Sequence, residues 1–331
     1  MKLTGERGVL QQFLLDCESR LTDGSLRLYR RQLGLLTGYL ASRGVTELEE
    51  VKIADLREFI HFLSQSEDNT TFYPNARRRL KRKPEPSTVA SHVRVIRAFF
   101  TWCVEEELIE KSPAARLSMP KVPKRVITTF APEQINKMLA SCDVSTEQGF
   151  RDYTILVLLL DTGMRVSELA DLRVSNVHPR YVKVFGKGLK EREIGLHPDV
   201  SRLLWLYIQK YRPSSEFPAE DRVFLGRKGA LTVEGIEQVF KRVAAASGIE
   251  GVRISPHTMR HTFSKHYLKN GGDLFKLSRE LGHSDVQVTG RVYLGDFKSS
   301  DAREDHSSFS PVIDVNIIKT KKRSSKRHAK D

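Results

Sequence analysis

The chain has 331 residues, a formal net charge of +14 and 39% hydrophobic residues. This length is enough for two domains with separate cores, and the hydrophobic content is typical of a globular protein. No run of about 18 apolar residues occurs, so we expect no membrane-spanning helix and no membrane partner. The first residues lack the apolar segment of a signal peptide, which favours a cytoplasmic protein.

Much of the positive charge lies in two short runs, one within residues 77–83 and one at the C-terminal end. A solvated loop is the simpler interpretation of such a run. A polyanion such as DNA is the partner that the charge favours if the runs bind anything. The candidate DNA contacts are Arg77, Arg78, Arg79, Lys81, Arg82, Lys83, Lys121, Lys124 and Arg125.

The three cysteines lie far apart in the sequence, at Cys17, Cys103 and Cys142. No Cys-x-x-Cys pair occurs, so the sequence indicates neither a zinc site nor a disulfide framework. We expect reduced and mostly buried thiols.

Apolar residues recur at helical spacing over residues 9–66 and again after Ser87. The pattern predicts three helices followed by a fourth, for which Ser87 is the expected cap. Residues 67–86 are rich in proline and basic residues and predict a long loop. We therefore predict a small four-helix domain over residues 5–108.

Prolines and basic residues without apolar periodicity predict a linker over residues 109–126. A second domain is expected over residues 127–306, followed by a basic tail over residues 307–331. Within this domain, the nearly unbroken apolar run of residues 153–160 predicts a buried helix.

The one strand-like region of the second domain lies around Gly186-Lys187-Gly188. Residues 181–185 alternate between apolar and polar before this turn, and residues 192–196 return after it. This pattern predicts a β-hairpin with Lys187 at or near its tip. Further helices are predicted at residues 198–211, 231–247, after Pro256, at 273–281 and at 287–294.

His257 and Arg260 follow Pro256 on what should be the first turns of a helix. Positions i and i+3 share a helix face, so both side chains can contact one object. An arginine fork suits a phosphate, and a histidine can donate to the same group or move a proton. A satisfied histidine beside a surface arginine is the simpler interpretation of this pair taken alone.

Other residues strengthen the phosphate interpretation. Arg165 follows Gly163 at a helix-glycine-helix junction, and His283 and Tyr293 follow downstream. In chain order, the set resembles the active-site residues of the tyrosine recombinase (phage integrase) family, of the Xer-like integrase type; its members here are Arg165, Lys187, His257, Arg260, His283 and Tyr293.

The resemblance implies a fold class that is mainly α with a small β-hairpin or sheet. It also implies that residues 5–108 are a helical core-binding domain that contacts DNA and that residues 127–306 are an α+β catalytic domain.

The resemblance further implies a role for each residue of the set. Arg165 and Arg260 would bind the non-bridging oxygens of the cleaved phosphate. Tyr293 would be the nucleophile, and Lys187 would protonate the departing 5′-oxygen. His257 is the candidate base or proton relay, and His283 would donate a hydrogen bond to the phosphate. Glu168 is expected to order Arg165 or the helix that follows it.

The implied activity is cutting and rejoining of DNA strands through a 3′-phosphotyrosyl intermediate, without a metal or another cofactor. The implied partners are a double-stranded DNA recombination site and three further copies of the chain, as a tetramer on paired sites. Accessory DNA-bending proteins are a further partner class that the resemblance allows, and DNA as substrate implies association with the nucleoid.

Three alternatives remain open at this stage. The chain could be a DNA-binding protein without catalytic activity, or a type IB topoisomerase with the same chemistry. A zinc enzyme is the third alternative, because His257 and His261 have the i, i+4 spacing of a helical metal pair. Thr258 occupies the place of the glutamate that such motifs carry, and Arg260 would repel a metal.

Overall fold

The computed structural model describes residues 1–5, 8–66, 83–123, 128–186, 191–213, 218–283 and 285–293, except for the side chains of residues 288 and 291–293. The chain divides into two compact units, Met1–Arg125 and Val126–Asp331, called the N-terminal and C-terminal units below. Both are mainly helical, and the described strands form two small sheets. No described helix has the length and hydrophobicity that crossing a bilayer requires.

Four helices build the described part of the N-terminal unit, as the apolar spacing predicts. They are α1 (Val9–Glu18), α2 (Asp23–Ser42), α3 (Ile53–Gln65) and α4 (Pro86–Glu105). Thr22 caps α2, because its side chain accepts a hydrogen bond from the backbone N–H of Ser25. Of the segment predicted to be a long loop, residues 67–82 lie outside the described residues.

The start of α4 differs from the predicted one. Glu85 is the N-cap and Pro86 is the first helical residue, so Ser87 lies inside the first turn and does not cap the helix. Proline suits the first helical position, because its fixed φ is already helical and its missing N–H would have no partner there. The prediction of a Ser87 cap was therefore wrong.

A cluster of aromatic side chains lies in the core of the N-terminal unit. The ring of Phe13 on α1 packs edge-on against Phe99 on α4, with the ring centroids 5.3 Å apart, and it also contacts Trp102. Edge-to-face packing brings the positive ring edge to the negative ring face. The cluster joins the first and the last helix of the unit and so closes the bundle.

The C-terminal unit contains eight described α-helices and two short hairpins. The helices are α5 (Pro132–Ala140), α6 (Glu147–Thr162), α7 (Val166–Asp171), α8 (Pro198–Leu206, continued by a π-helical turn at Tyr207–Tyr211), α9 (Val233–Ser247), α10 (Pro256–Lys269), α11 (Leu274–Leu281) and α12 (Val286–Tyr293). The strands are β1 (Tyr181–Phe185), β2 (Glu191–Gly195), β3 (Leu225–Gly226) and β4 (Gly229–Ala230).

The predicted hairpin is present. Strands β1 and β2 pair antiparallel, with Tyr181 opposite Gly195 and Phe185 opposite Glu191. Val182, Val184 and Ile194 of the hairpin are buried in the core of the unit. One face of the hairpin is therefore fixed to the core, which sets the direction in which the other side chains of β2 point.

Helix α6 is the buried helix that the apolar run predicts, and it packs against α10. It ends at Gly163, whose φ of +57° lies in the left-handed region. A Cβ at this position would come within 2.2 Å of the ring of Phe263 on α10. Glycine is thus needed twice, for the backbone turn and for the close approach of α10.

None of the three cysteines forms a disulfide in the structure. Cys17 and Cys103 are buried, and Cys142 is partly buried. Burial raises the pKa of the Cys103 thiol to about 12 and that of Cys142 to about 11. Both thiols therefore stay protonated at neutral pH and are poor nucleophiles.

One buried histidine of the N-terminal unit makes the stability of that unit sensitive to pH. His92 on α4 is fully buried, and neither ring nitrogen has a hydrogen-bond partner among the described residues. Burial, together with the charge of Arg31, lowers the pKa of His92 to about 4. Because His92 resists protonation in the folded unit, the unit keeps its full free energy of unfolding above pH 6.5. This free energy falls as the pH drops from 6.5 towards 4.

We expect the N-terminal unit to lose about 2 kcal/mol of unfolding free energy between pH 7 and pH 5 through His92. The measurement is urea unfolding of the full chain carrying Trp205→Phe, so that Trp102 is the only fluorescent tryptophan. Adding His92→Leu should reduce the pH dependence by about that amount. Equal pH dependence with and without His92 would contradict this assignment.

Candidate active site

The N-terminus of α10 is held by side-chain hydrogen bonds that the sequence Ser255-Pro256-His257-Thr258 supplies. The Ser255 side chain accepts from the backbone N–H of Thr258, and the Thr258 hydroxyl donates to the carbonyl of Arg253 at 2.7 Å. These contacts fix the first turn, which carries His257 on its exposed side and Arg260 on its buried side.

Arg260 is the buried cation at the centre of the site, with 8% of its surface exposed. Its Nη1 donates to the carbonyl of Gly163 at 2.7 Å, and its Nη2 donates to the carbonyl of Leu281 at 2.8 Å. These carbonyls end α6 and α11, where a helix leaves its last C=O groups without partners and carries partial negative charge. Arg260 therefore joins two helix ends and is fixed by them.

His283 lies against Arg260. The Nη2 of Arg260 is 3.0 Å from Nε2 of His283, and Nδ1 of His283 is 2.8 Å from the hydroxyl of the buried Thr289. A guanidinium can only donate, so Nε2 of His283 accepts and the proton of the neutral ring is on Nδ1. Burial, then the charges of Arg260, Arg165 and Arg192, lower the pKa of His283 to about 4.

Arg165 is held by the buried carboxylate of Glu168. Its Nη1 donates to Glu168 Oε1 at 2.9 Å, and its backbone N–H donates to Oε2 at 2.8 Å. The Nη2 of Arg165 also reaches the carbonyl of Gly282 at 3.3 Å. Arg165 and Arg260 thus both contact the segment Leu281-Gly282-His283, which brings three of the predicted site residues together.

Glu168 has a second cationic partner, Arg192 on strand β2. Nη1 and Nη2 of Arg192 donate to the two carboxylate oxygens at 2.7 Å each, and its Nε donates to the carbonyl of Glu280 at 2.7 Å. Burial alone would raise the pKa of Glu168, but the hydrogen bonds from Arg192 and Arg165 outweigh it and lower the pKa. The carboxylate is therefore ionised at neutral pH.

The turn after α11 requires glycine for the same network. Gly282 has a φ of +67°, and a Cβ there would lie 2.9 Å from Nη1 of Arg192. A side chain at this position would strain the turn and push against the guanidinium. The backbone of the His283 turn and the Arg192–Glu168 pair therefore constrain each other.

His257 and His261 contact each other directly, one helical turn apart on α10. Their Nε2 atoms are 2.8 Å apart, and the rings are nearly perpendicular. Burial is the first cause of a lowered pKa at both rings, and the pKa of His261 is about 4. No group of three or more His, Cys, Asp or Glu side chains in the described part of the chain has an arrangement that could hold a metal ion.

Two predicted site residues, Lys187 and Tyr293, lie wholly or partly outside the described residues. Strand β1 ends at Phe185 and β2 begins at Glu191, and Lys187, predicted at or near the hairpin tip, lies outside the described residues. Tyr293 is the last residue of α12, which packs against α11, but its side chain lies outside the described part.

Few of the candidate DNA contacts fall within the described residues. Lys83 donates to Gln65 at 3.0 Å, and Lys121 is exposed. The others lie outside the described residues; they are Arg77, Arg78, Arg79, Lys81, Arg82, Lys124 and Arg125.

Sequence reasoning missed Arg192, and it considered His261 only as a metal ligand. A signal for Arg192 exists in the hairpin pattern. Arg192 and Ile194 are two residues apart on β2 and therefore share a face, and Ile194 is buried. A charged residue on the buried face of a strand needs a charged partner.

The charges around His283 predict a selective response to mutation. In Arg165→Gln the pKa of His283 should rise from about 4, because one of the cations that oppose its protonation is removed. The pKa of His261 should stay unchanged, because Arg165 is not one of the charges that lower it. The measurement is an NMR titration of the histidine ring protons, with Arg202→Gln on α8 as control. A wild-type His283 that titrates near pH 6.5 would contradict the geometry.

Known proteins match this chain over most of its length. A model of the phage integrase family matches residues 128–299, which is more than half of the chain. The chain is 32% identical over 278 residues to tyrosine recombinase XerD of Listeria innocua, covering 82% of this chain and 88% of that protein. It is 29% identical over 310 residues to tyrosine recombinase XerD of Staphylococcus aureus, covering 92% and 98%.

Solved structures show the same fold. The Tn1549 transposon integrase in complex with a circular intermediate DNA has a TM-score of 0.70 at 19% identity, covering 91% of this chain and 98% of that one. The XerH site-specific recombinase bound to a palindromic difH substrate has a TM-score of 0.65 at 19% identity, covering 90% and 83%. This likeness confirms the predicted fold class, mainly α with small hairpins.

The predicted resemblance is therefore confirmed by both the sequence and the fold. The chain belongs to the phage integrase family, as a site-specific tyrosine recombinase of the Xer-like type.

Proposed function

We propose that Arg165, Arg260 and His283 surround the cleaved phosphate of a DNA recombination site and that Tyr293 attacks it. The observation that carries this proposal is that both arginines reach the turn Leu281-Gly282-His283, through the carbonyls of Leu281 and Gly282 and through Nε2 of His283. Two fixed cations beside one turn form a site for a doubly coordinated oxyanion.

The proposed reaction exchanges one phosphodiester bond for another. The Tyr293 oxygen bonds to the phosphorus while the bond to the 5′-oxygen breaks, which leaves a 3′-phosphotyrosyl link. The proton of the Tyr293 hydroxyl passes to His257, and Lys187 gives a proton to the departing 5′-oxygen. A 5′-hydroxyl of another strand reverses these steps, and because the bond energy is kept, the exchange itself consumes no nucleotide.

The cationic site makes the attack easier in two ways. Negative charge grows on the non-bridging oxygens as the nucleophile adds, and the arginines are already oriented by Glu168 and by the helix ends before DNA binds. The ordinary pKa of a tyrosine is near 10, so the hydroxyl needs both a proton acceptor and a positive surrounding to react at neutral pH.

His283 would change its hydrogen bonds when a phosphate binds. In the DNA-free site its Nε2 accepts from Arg260, whereas donating to a phosphate oxygen requires a proton on Nε2. The negative phosphate favours that protonation, since it offsets the arginine charges that lower the pKa of His283. The Thr289 hydroxyl can accept or donate, so it can stay bonded to Nδ1 in either state.

The proposed assembly is a tetramer of this chain on two paired DNA sites, passing through a Holliday junction. A lambda integrase tetramer bound to a Holliday junction has this fold, with a TM-score of 0.64 at 16% identity. Accessory DNA-bending proteins and association with the cytoplasmic nucleoid complete the proposal.

The nucleophile can be tested with covalent adducts. The substrate is a library of nicked duplexes of random sequence, from which SDS-resistant protein–DNA adducts are isolated and sequenced to obtain the preferred site. On that site, Tyr293→Phe should form no adduct, because the attacking oxygen is removed. Tyr267→Phe, on α10, is the matched control and should keep wild-type adduct formation. Adducts that persist in Tyr293→Phe and vanish in Tyr267→Phe would reassign the nucleophile.

The orientation of Arg165 can be tested through Arg192. Arg192→Met leaves the buried Glu168 with fewer cations, so that Arg165 is held more tightly by the carboxylate and less available to the phosphate. We expect adduct formation to fall by roughly ten- to a hundredfold, as for the loss of a hydrogen bond to a charged group. DNA affinity, measured by fluorescence anisotropy, should change little.

Arg192→Met should also lower the melting temperature, because the buried Glu168 carboxylate loses one of its two cationic partners. The double variant Glu168→Gln with Arg192→Met should recover part of the lost melting temperature and adduct rate, because the undercompensated buried charge is removed. Arg202→Met, whose partner Asp199 is exposed, is the control and should behave as wild type. A wild-type adduct rate in Arg192→Met would contradict the proposed role.

A further inference from the structure

His261 is a buried side chain with no part in the reaction proposed above. Only 7% of its surface is exposed, whereas His257, one turn earlier on α10, is exposed. The Nε2 atoms of the two rings are 2.8 Å apart, which is a hydrogen-bond distance. The contact therefore occupies Nε2 of His257, and Nδ1 is the second nitrogen of that ring.

The contact between the two nitrogens restricts where the protons are. A hydrogen bond between two ring nitrogens needs one proton and one lone pair, so one Nε2 donates and the other accepts. Both rings are neutral at pH 7, since burial lowers the pKa of each. The charges of Arg260 and Arg253 lower the pKa of His257 further, and the charges of His257 and Arg260 lower that of His261. A neutral imidazole carries one proton, so the state of each Nδ1 follows from the state of its Nε2.

The two possible arrangements give His257 opposite abilities. If His257 accepts at Nε2, its proton is on Nδ1, both nitrogens are occupied and the ring cannot take up a further proton without breaking the contact. If His257 donates from Nε2, its Nδ1 has a lone pair and can accept a proton at once. Only the second arrangement is compatible with a base.

We propose that His261 is a positioning residue that accepts a hydrogen bond from Nε2 of His257 and so keeps Nδ1 of His257 as the proton acceptor. This inference rests on the proposed function, because the direction of the hydrogen bond is assigned from the role of His257 as acceptor of the Tyr293 proton. The contact in the DNA-free protein is independent of that step.

The proton balance of the step is complete. The proton leaves the Tyr293 oxygen and binds Nδ1 of His257, and Nε2–H of the resulting imidazolium continues to donate to His261. His261 does not take the proton, because burial lowers its pKa to about 4 and makes it a weak base. When the strand is rejoined, the proton returns from Nδ1 to the tyrosine oxygen. His261 thus has the role of the third residue in a catalytic triad, as an orienting acceptor without charge.

The first test is spectroscopic and uses the full-length protein without DNA. With ¹⁵N-labelled histidine, the expected spectrum shows His257 with a protonated Nε2 and an unprotonated Nδ1 at pH 7. In His261→Phe, which lacks the acceptor, the fixed tautomer should be lost and both forms of His257 should appear. A wild-type His257 with its proton on Nδ1 overturns the proposal, whatever the protein does with DNA.

The second test is the pH dependence of adduct formation on the selected DNA site. His261→Phe should lower the maximal rate by roughly ten- to a hundredfold, the size expected for a lost hydrogen bond to a charged group. The acid limb should move to lower pH, because the imidazolium of His257 loses a partner and its pKa falls. His261→Gln, whose side-chain carbonyl can accept, should restore part of the rate.

The controls separate this inference from the proposed function. His266→Gln lies on the same helix and should leave the rate and the pH profile unchanged. Equal rates and profiles for wild type and His261→Phe overturn the role of His261. If wild type itself forms no adducts, the proposed function fails, and the tautomer of His257 in the free protein still decides whether His261 orients it.

Discussion

The buried carboxylate of Glu168 is the interaction on which the arrangement of the site depends. It is ionised inside the C-terminal unit, where an unpaired charge would be prohibitively unfavourable, and it is compensated by Arg192 and Arg165. Each partner belongs to a different element, β2 and the start of α7. Because the carboxylate needs both, the hairpin and the α6–α7 junction are fixed relative to each other, and with them the direction of Arg165.

Helix ends complete the arrangement. Arg260 donates to the terminal carbonyls of α6 and α11, and Arg192 donates to the carbonyl of Glu280 in the last turn of α11. Buried carbonyls at helix C-termini need donors, and arginine supplies several in one plane. The same contacts that satisfy the fold therefore hold two cations beside the turn that carries His283. The arginine–carbonyl contacts therefore both stabilise the fold and orient the charged groups.

Much of the fold followed from local patterns. The apolar spacing predicted the helices of both units, and the alternation around Gly186 predicted the hairpin that β1 and β2 form. One error lay at a boundary, at Ser87, where the preference of Pro86 for the first helical position decided the start of α4. The short hairpin of β3 and β4 was missed, because two-residue strands are too short to show alternation. The residue types of the site were also recognisable, since arginine, histidine and tyrosine in that order have few other uses together.

By itself, the sequence determined the family and the helical class, because these depend on residue type, order and short spacings; for the reacting residues it gave a prediction. Only the tertiary structure decided which groups hold those residues in place. Arg192 and Glu168 are 24 positions apart, and Arg260 and Gly163 are 97 positions apart. Such contacts leave no periodic signal, since they arise when helix ends and a strand meet in space. The His257–His261 contact is local in sequence, but which atoms meet depends on ring rotation, which packing sets.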